Sequence, residues 1–191
     1  MTQQHDGGTM RDATEILADD HKEFLALVGS IEGTPDPTMR RELADTLIAE
    51  IMRHAVAEEM FVYPAIKQHV PNGAAEVEHD KEEHQEIVLA MKQMEDVEAS
   101  DPRFMEGVVR LRDLLIEHAG SEEGEQFPKL RAHIPREELL EMGGKVEAAK
   151  ALAPTRPHPS APHSALFHKL VGPGVGFVDR LRDRLEGRHT G

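Results

Sequence analysis

His54 and Glu58 sit four residues apart in the stretch HAVAEEMFVYPAIKQHVP, residues 54 to 71, and His118 and Glu122 repeat that spacing in HAGSEEGEQFPKLRAHIP, residues 118 to 135. Seven of the eighteen positions are identical between the two stretches, which lie 64 residues apart. On a helix, side chains four residues apart leave the same face and can reach a single ion. An imidazole nitrogen and a carboxylate in that relation are a pair of metal ligands. The duplication reaches further upstream, because HKEFLAL at His21 resembles HQEIVLA at His84, 63 residues later. Each half therefore carries a lone His and, about one helix hairpin later, an H-x-x-x-E.

The elements that must position these groups are helices. Asp12 and Glu15 have capping-box spacing and open a first helix. On it Leu17, His21, Phe24, Val28 and Ile31 recur at steps of three and four. The turn TPDPT follows, with Asp36 as N-cap and Pro37 at the first helical position. A second helix carries Leu43, Leu47, Ile51, His54, Glu58 and Phe61 on one face and runs to about His69, with a bend expected near Pro64. A third helix turns Val77, His84, Ile87, Val88, Met91 and Met94 inward. After SDPR a fourth presents Phe104, Val108, Leu111, Leu115, His118 and Glu122. No segment shows the alternation of a strand. The fold class is thus all-α: an antiparallel up-down four-helix bundle over 12–135, built from two repeated helical hairpins, with extra C-terminal helices. Residues 1–11 read as a disordered N-terminus. A fifth helix is expected over 136–152, weakened at Gly143 and Gly144. A Pro-rich linker follows over 153–173, and a short amphipathic helix over 174–191.

Four histidines and two glutamates then face the interior of one bundle. Any one of these histidines taken alone is most simply a core residue bonded to a carbonyl. The set is different. A buried carboxylate without a partner costs several kcal/mol, and two of them beside four imidazoles call for cations. Two divalent ions satisfy all six groups.

Composition narrows the function further. The 191 residues contain no Cys, which excludes disulfide scaffolds, thiolate sites and Cys nucleophiles. The net charge of −14, the lack of Trp and an aromatic content of 4% argue against nucleic-acid partners. No stretch has the apolar core of a signal peptide or the length of a membrane span, so the expected compartment is the cytoplasm and no membrane contact is expected.

The pattern H…H-x-x-x-E…H…H-x-x-x-E, with E-E-x-x-x-aromatic-P after each motif, resembles the hemerythrin-like, HHE cation-binding proteins over about residues 12 to 135. That resemblance implies a non-haem di-iron centre, two iron ions joined by an oxo or hydroxo bridge. His21, His54, His84 and His118 would be terminal ligands, and Glu58 and Glu122 bridging carboxylates. It also implies reaction with hydrogen peroxide, nitric oxide or dioxygen in oxidative or nitrosative stress, including catalase-like activity. The alternatives are reversible O2 or NO binding for storage or sensing, and iron handling or iron–sulfur repair. The ferritin-like alternative wants two E-x-x-H motifs within the bundle, and only Glu76–His79 fits there.

The chain departs from the oxygen-carrying members of that family, which resemble it but place a fifth His where Asp80 stands. His79 is one step off, about 140° around the helix from His84. Either Asp80 or water completes the site. Six protein ligands with a bridge leave roughly two octahedral positions open, which favours turnover over carriage. Glu59 and Glu123 read as solvated or outer carboxylates. His69 and His133 suit helix C-termini. Tyr63 faces away on an ideal helix unless Pro64 turns it. Met52, Met60, Met91 and Met94 read as packing. The C-terminal helix could meet a protein partner or a second copy of the chain.

Overall fold

The computed structural model describes residues 10–152, residue 96 excepted. The segment before residue 10, the linker expected over 153–173 and the helix expected over 174–191 lie outside the described residues. The architecture is all-helical. α1 spans Ala13–Gly33, α2 Pro37–Ala57, α3 Tyr63–His69, α4 Gly73–Glu95, α5 Pro102–Ser121, α6 Phe127–His133 and α7 Arg136–Leu152. Two π-helical turns, Glu58–Val62 and Glu122–Gln126, join α2 to α3 and α5 to α6. The chain thus makes four long rods. α1 packs on α2 and α5, α4 packs on α5 and α3, and α7 packs against α1 and α2 as a fifth element. No described helix is long and apolar enough to cross a membrane.

Side chains that satisfy free amides set the helix starts. Asp12 accepts from the Glu15 N–H at 3.0 Å, and Glu15 returns the bond to the Asp12 N–H at 3.1 Å. Asp36 caps α2 through the amides of Thr38 and Met39, and Asp101 caps α5 through that of Arg103. Each cap contributes about 1 kcal/mol. The VPNG turn between α3 and α4 places Asn72 at φ 64°, a left-handed position that Asn tolerates.

Near Pro64, where a bend is expected, the helix makes a widened turn. A proline inside an α-helix lacks an N–H and its ring strikes the carbonyl four residues back. Here the turn before Pro64 opens, and the Tyr63 N–H bonds to the carbonyl of Glu58, five residues back. Pro128 does the same to its half, with Phe127 bonding to Glu122. One extra residue per turn rotates everything that follows by about 100°. That rotation decides where Tyr63 points.

The inward faces read from the sequence are the buried ones, but the core is divided. Ile16, Leu17, Met60, Ile66, Val77, Phe127 and Leu130 belong to one apolar cluster. Phe24, Val28, Leu47, Ile51, Ile87, Met91, Phe104, Leu111 and Leu115 belong to another. On every long rod the His ligand candidate falls between them, as His21 does between Leu17 and Phe24. A polar layer thus crosses the bundle with apolar packing on both sides.

Gly143 is a packing site in α7 rather than a weak point. A Cβ there would lie 2.1 Å from the carbonyl oxygen of Arg11. Its absence lets α7 close onto the start of α1, burying Leu139, Met142, Val146 and Ala149.

Candidate metal centre

All six sequence-predicted residues meet in the polar layer. His21, His54, His118, Glu58 and Glu122 are buried, and His84 is nearly so, its side chain 12% exposed. The rings form two pairs, His21 with His54 at 4.9 Å between centroids and His84 with His118 at 4.7 Å. Each carboxylate touches one ring of each pair. Glu58 places Oε1 3.3 Å from His54 Nε2 and Oε2 3.3 Å from His84 Nε2. Glu122 places Oε2 3.2 Å from His21 Nε2 and 3.6 Å from His118 Nε2. A carboxylate that reaches both pairs can bridge two ions.

Close as they are, these atoms lack hydrogen-bond geometry to one another. His21 Nε2, His54 Nε2 and all four oxygens of Glu58 and Glu122 are buried without a hydrogen-bond partner. Buried polar atoms are rarely left so. The Nε2 atoms of His84 and His118 face each other at 3.3 Å. Ring nitrogens and carboxylate oxygens turned toward one another in a buried space are what a cation relieves. The donor atoms of His21, His54, His118 and Glu122 lie within 4.8 Å of one another, as do those of Glu58, His84 and His118. The residues present therefore fit a metal centre of imidazoles and carboxylates.

The other ring nitrogen of every histidine is held from outside. His54 Nδ1 lies 3.1 Å from Asp20, and His118 Nδ1 2.9 Å from Glu83. His21 Nδ1 lies 2.9 Å from Glu123, and His84 Nδ1 3.0 Å from the Tyr63 hydroxyl. With Nδ1–H donating outward, each Nε2 keeps its lone pair for the interior. Metal-binding histidines are held this way. The π-turn brings Tyr63 to His84, contrary to its place on an ideal helix. Phe127, the matching residue, stacks on His21 at 6.1 Å with rings 5° from parallel.

Two of these outer partners were missed in the sequence, although a signal was there. Asp20 precedes His21 and Glu83 precedes His84, so an acid–His dipeptide occurs twice at equivalent positions. Each acid serves the histidine of the neighbouring rod rather than its own neighbour in sequence, which only the packing shows.

The carboxylates dominate the local field. Burial opposes charge on His54, but Glu58 and Asp20 outweigh it and push its pKa up to about 10. Burial likewise opposes charge on His118, and Glu122 and Glu83 push it up to about 9. Burial works against ionisation of Glu58 too, yet His54 and His84 hold it well below the usual carboxylate range. The site calls for positive charge, and protons supply it when no metal does.

Asp80 is not part of the donor cluster. It is buried and takes both its bonds, 2.7 and 2.6 Å, from the Gln126 amide, another residue that the sequence reading missed. Burial raises its pKa to about 7, against the pull of that amide. His79 is exposed and faces Glu83 at 3.3 Å. Glu59 is exposed. His69, in the last turn of α3, faces Glu138 of α7 at 3.4 Å, and His133 ends α6 on the surface. Met60, Met91 and Met94 are buried among apolar side chains, and Met52 packs beside them.

Residues 12–130 match the family model described as Hemerythrin HHE cation binding domain. An uncharacterized hemerythrin-like protein of Schizosaccharomyces pombe is 28% identical over 174 residues, covering 91% of this chain and 86% of the relative. A protein of Nostoc named a DNA nickase is 24% identical over 137 residues, and the match spans 72% of this chain but only 38% of that protein. The crystal structure of a hemerythrin HHE cation binding domain-containing protein from Mycobacterium kansasii shares the fold. Its TM-score is 0.68 at 22% identity, over 90% of this chain and 99% of that one.

Proposed function

Because this chain belongs to the hemerythrin HHE cation-binding family, we propose that its His–Glu layer holds two iron ions and disproportionates hydrogen peroxide to dioxygen and water. Nitric oxide and dioxygen are the other small molecules the same centre would meet. The observation that carries this reading is the set of buried Nε2 and carboxylate oxygen atoms left without hydrogen bonds, arranged as two ring pairs spanned by two carboxylates.

Two irons held by these residues would supply a ferrous–ferric couple able to exchange two electrons with peroxide. The protein's part is placement. Glu58 and Glu122 keep the two ion seats together, each reaching a ring of both pairs. Asp20, Glu83, Glu123 and Tyr63 hold the four rings with Nε2 inward. Burial and the nearby carboxylates keep Tyr63 well above the usual phenol range, so its hydroxyl retains its proton beside His84. His84, at 12% exposure against 2–3% for the other three rings, marks the side from which a small molecule can approach.

Turnover is favoured over reversible carriage by one residue. Where the oxygen carriers resembling this chain have a fifth His, it has Asp80, and that carboxylate is committed to Gln126. Fewer protein donors would leave positions on bound ions that peroxide and water could exchange. Iron–sulfur repair by thiol chemistry is disfavoured by the absence of Cys. The net charge of −14 disfavours a nucleic-acid substrate of the kind named for the Nostoc relative.

The test is dioxygen release from hydrogen peroxide by the full chain loaded with ferrous iron under anaerobic conditions, alongside metal analysis. Sustained release with two irons bound is expected. Two irons bound with no release, and a long-lived dioxygen adduct in air, would assign the protein to reversible binding instead.

A further inference from the structure

Around His54 and His118 the two halves of the centre match out to the acids that hold the rings, Asp20 and Glu83, and differ one step beyond. Glu83, behind His118, is met by His79 of its own helix at 3.3 Å, a side chain 65% exposed. Asp20, behind His54, is met by the ammonium of Lys150. Lys150 belongs to α7, which lies outside both the duplicated hairpins and the residues matched by the family model. The contact is built into the fold. Gly143 of α7 closes on Arg11, Asp12 and Ala13 at the start of α1. Seven residues on, Lys150 meets Asp20, which lies seven residues beyond Ala13. Seven residues rise about 10.5 Å on either helix, so the two contacts lie in register and α7 runs parallel to α1. The chain Lys150–Asp20–His54 is shielded, with side-chain exposures of 20%, 8% and 2%.

We infer that Lys150 is a positioning residue for the metal centre, holding Asp20 against His54 and so making the His21–His54 seat different from the His84–His118 seat. This rests on the reading of the six inner donors as ion ligands. The carboxylate of Asp20 has one oxygen on His54 and the other on Lys150. Without Lys150, a largely buried carboxylate keeps only half its partners and gains by turning toward water. His54 then loses the acceptor that fixes its ring. The ammonium of Lys150 also sets this side apart from the other, where the His79 imidazole reaches Glu83 from the surface.

The experiment is a titration of the metal-free full chain with cobalt(II), followed by its visible ligand-field absorption. Wild-type protein should take up two equivalents. Lys150→Met should weaken one of them by about 10- to 100-fold, the range for loss of an outer partner, and leave the other within about threefold. Lys150→Gln should behave like Lys150→Met, and Lys150→Arg should restore wild-type binding. Because Lys150 acts through Asp20, adding Lys150→Met to Asp20→Ala should change nothing further. Unchanged or tighter binding in Lys150→Met, equal weakening of both equivalents, or additive effects of the two substitutions would each overturn the role of Lys150 while leaving the centre intact. A wild-type chain that takes up no cobalt would overturn the ligand reading of the six donors, and this inference with it.

Discussion

The Tyr63 hydroxyl lies 3.0 Å from Nδ1 of His84, and the widened turn Glu58–Val62 is what puts it there. An unbroken α-helix would carry Tyr63 about 140° away from the direction of Glu58. The matching residue in the other half is Phe127, so a phenyl ring is tolerated at this position of the fold. Tyr63→Phe should therefore cost the metal-free protein no more than about 1.5 kcal/mol, the value of one hydrogen bond. It should weaken binding at the His84–His118 seat by about tenfold or more, through loss of the group that orients His84. Urea unfolding of the metal-free variant and a metal titration separate the two effects.

The pseudo-symmetry of the inner donors predicts equal damage from equivalent losses. His54→Ala and His118→Ala should each lower iron content from about two per chain and abolish peroxide turnover, since each removes an Nε2 that no other residue replaces. The loss in affinity should exceed the roughly 10- to 100-fold typical of outer-partner substitutions. His133→Ala, at the surface end of α6, should keep full iron. Metal analysis after gel filtration decides the matter, and full iron in His118→Ala with none in His54→Ala would contradict a shared centre.

Without metal, the same centre should make stability depend on pH in the alkaline range. His54 and His118 hold protons more tightly when folded, at about 10 and about 9, than the ordinary value of 6.5. Groups whose folded pKa is raised contribute fully below about pH 6.5, and the contribution is lost as pH rises through the folded values. The urea midpoint of metal-free protein should fall between those limits. Glu58, held low when folded, works in the opposite sense, and its contribution is lost on acidification below 4.5. Metal-loaded protein should show little of the alkaline loss, because the ions replace the protons.

Asp80 and Gln126 form a buried polar pair, and Asp80 belongs to neither donor cluster. Asp80→Ala should strand the Gln126 amide and destabilise the fold by about 1–3 kcal/mol. Iron content should stay at about two per chain and peroxide turnover should persist. A fall to one iron per chain would show that Asp80 is a ligand after all.

The amino-acid sequence by itself determined the helices, their inward faces and the six inner donors. Helical periodicity and i, i+4 spacing are local rules, and a duplicated motif reveals which departures from apolar patterning are deliberate. His54 and Glu58 could be paired on paper because they share one helix. The tertiary structure decided everything that crosses between rods. Asp20 lies beside His21 in the chain but serves His54, because side chains of consecutive residues diverge on a helix while those of packed neighbours converge. Pro64 announced a disturbance, and the folded chain meets it with a widened turn that carries Tyr63 to His84. Gly143 read as a helix weakness, since its value lies in a contact with Arg11 more than a hundred residues away in sequence. Lys150 carried no signal at all. A lysine on a surface helix is ordinary, and only the docking of α7 along α1 brings its charge to the acid behind an inward-facing histidine.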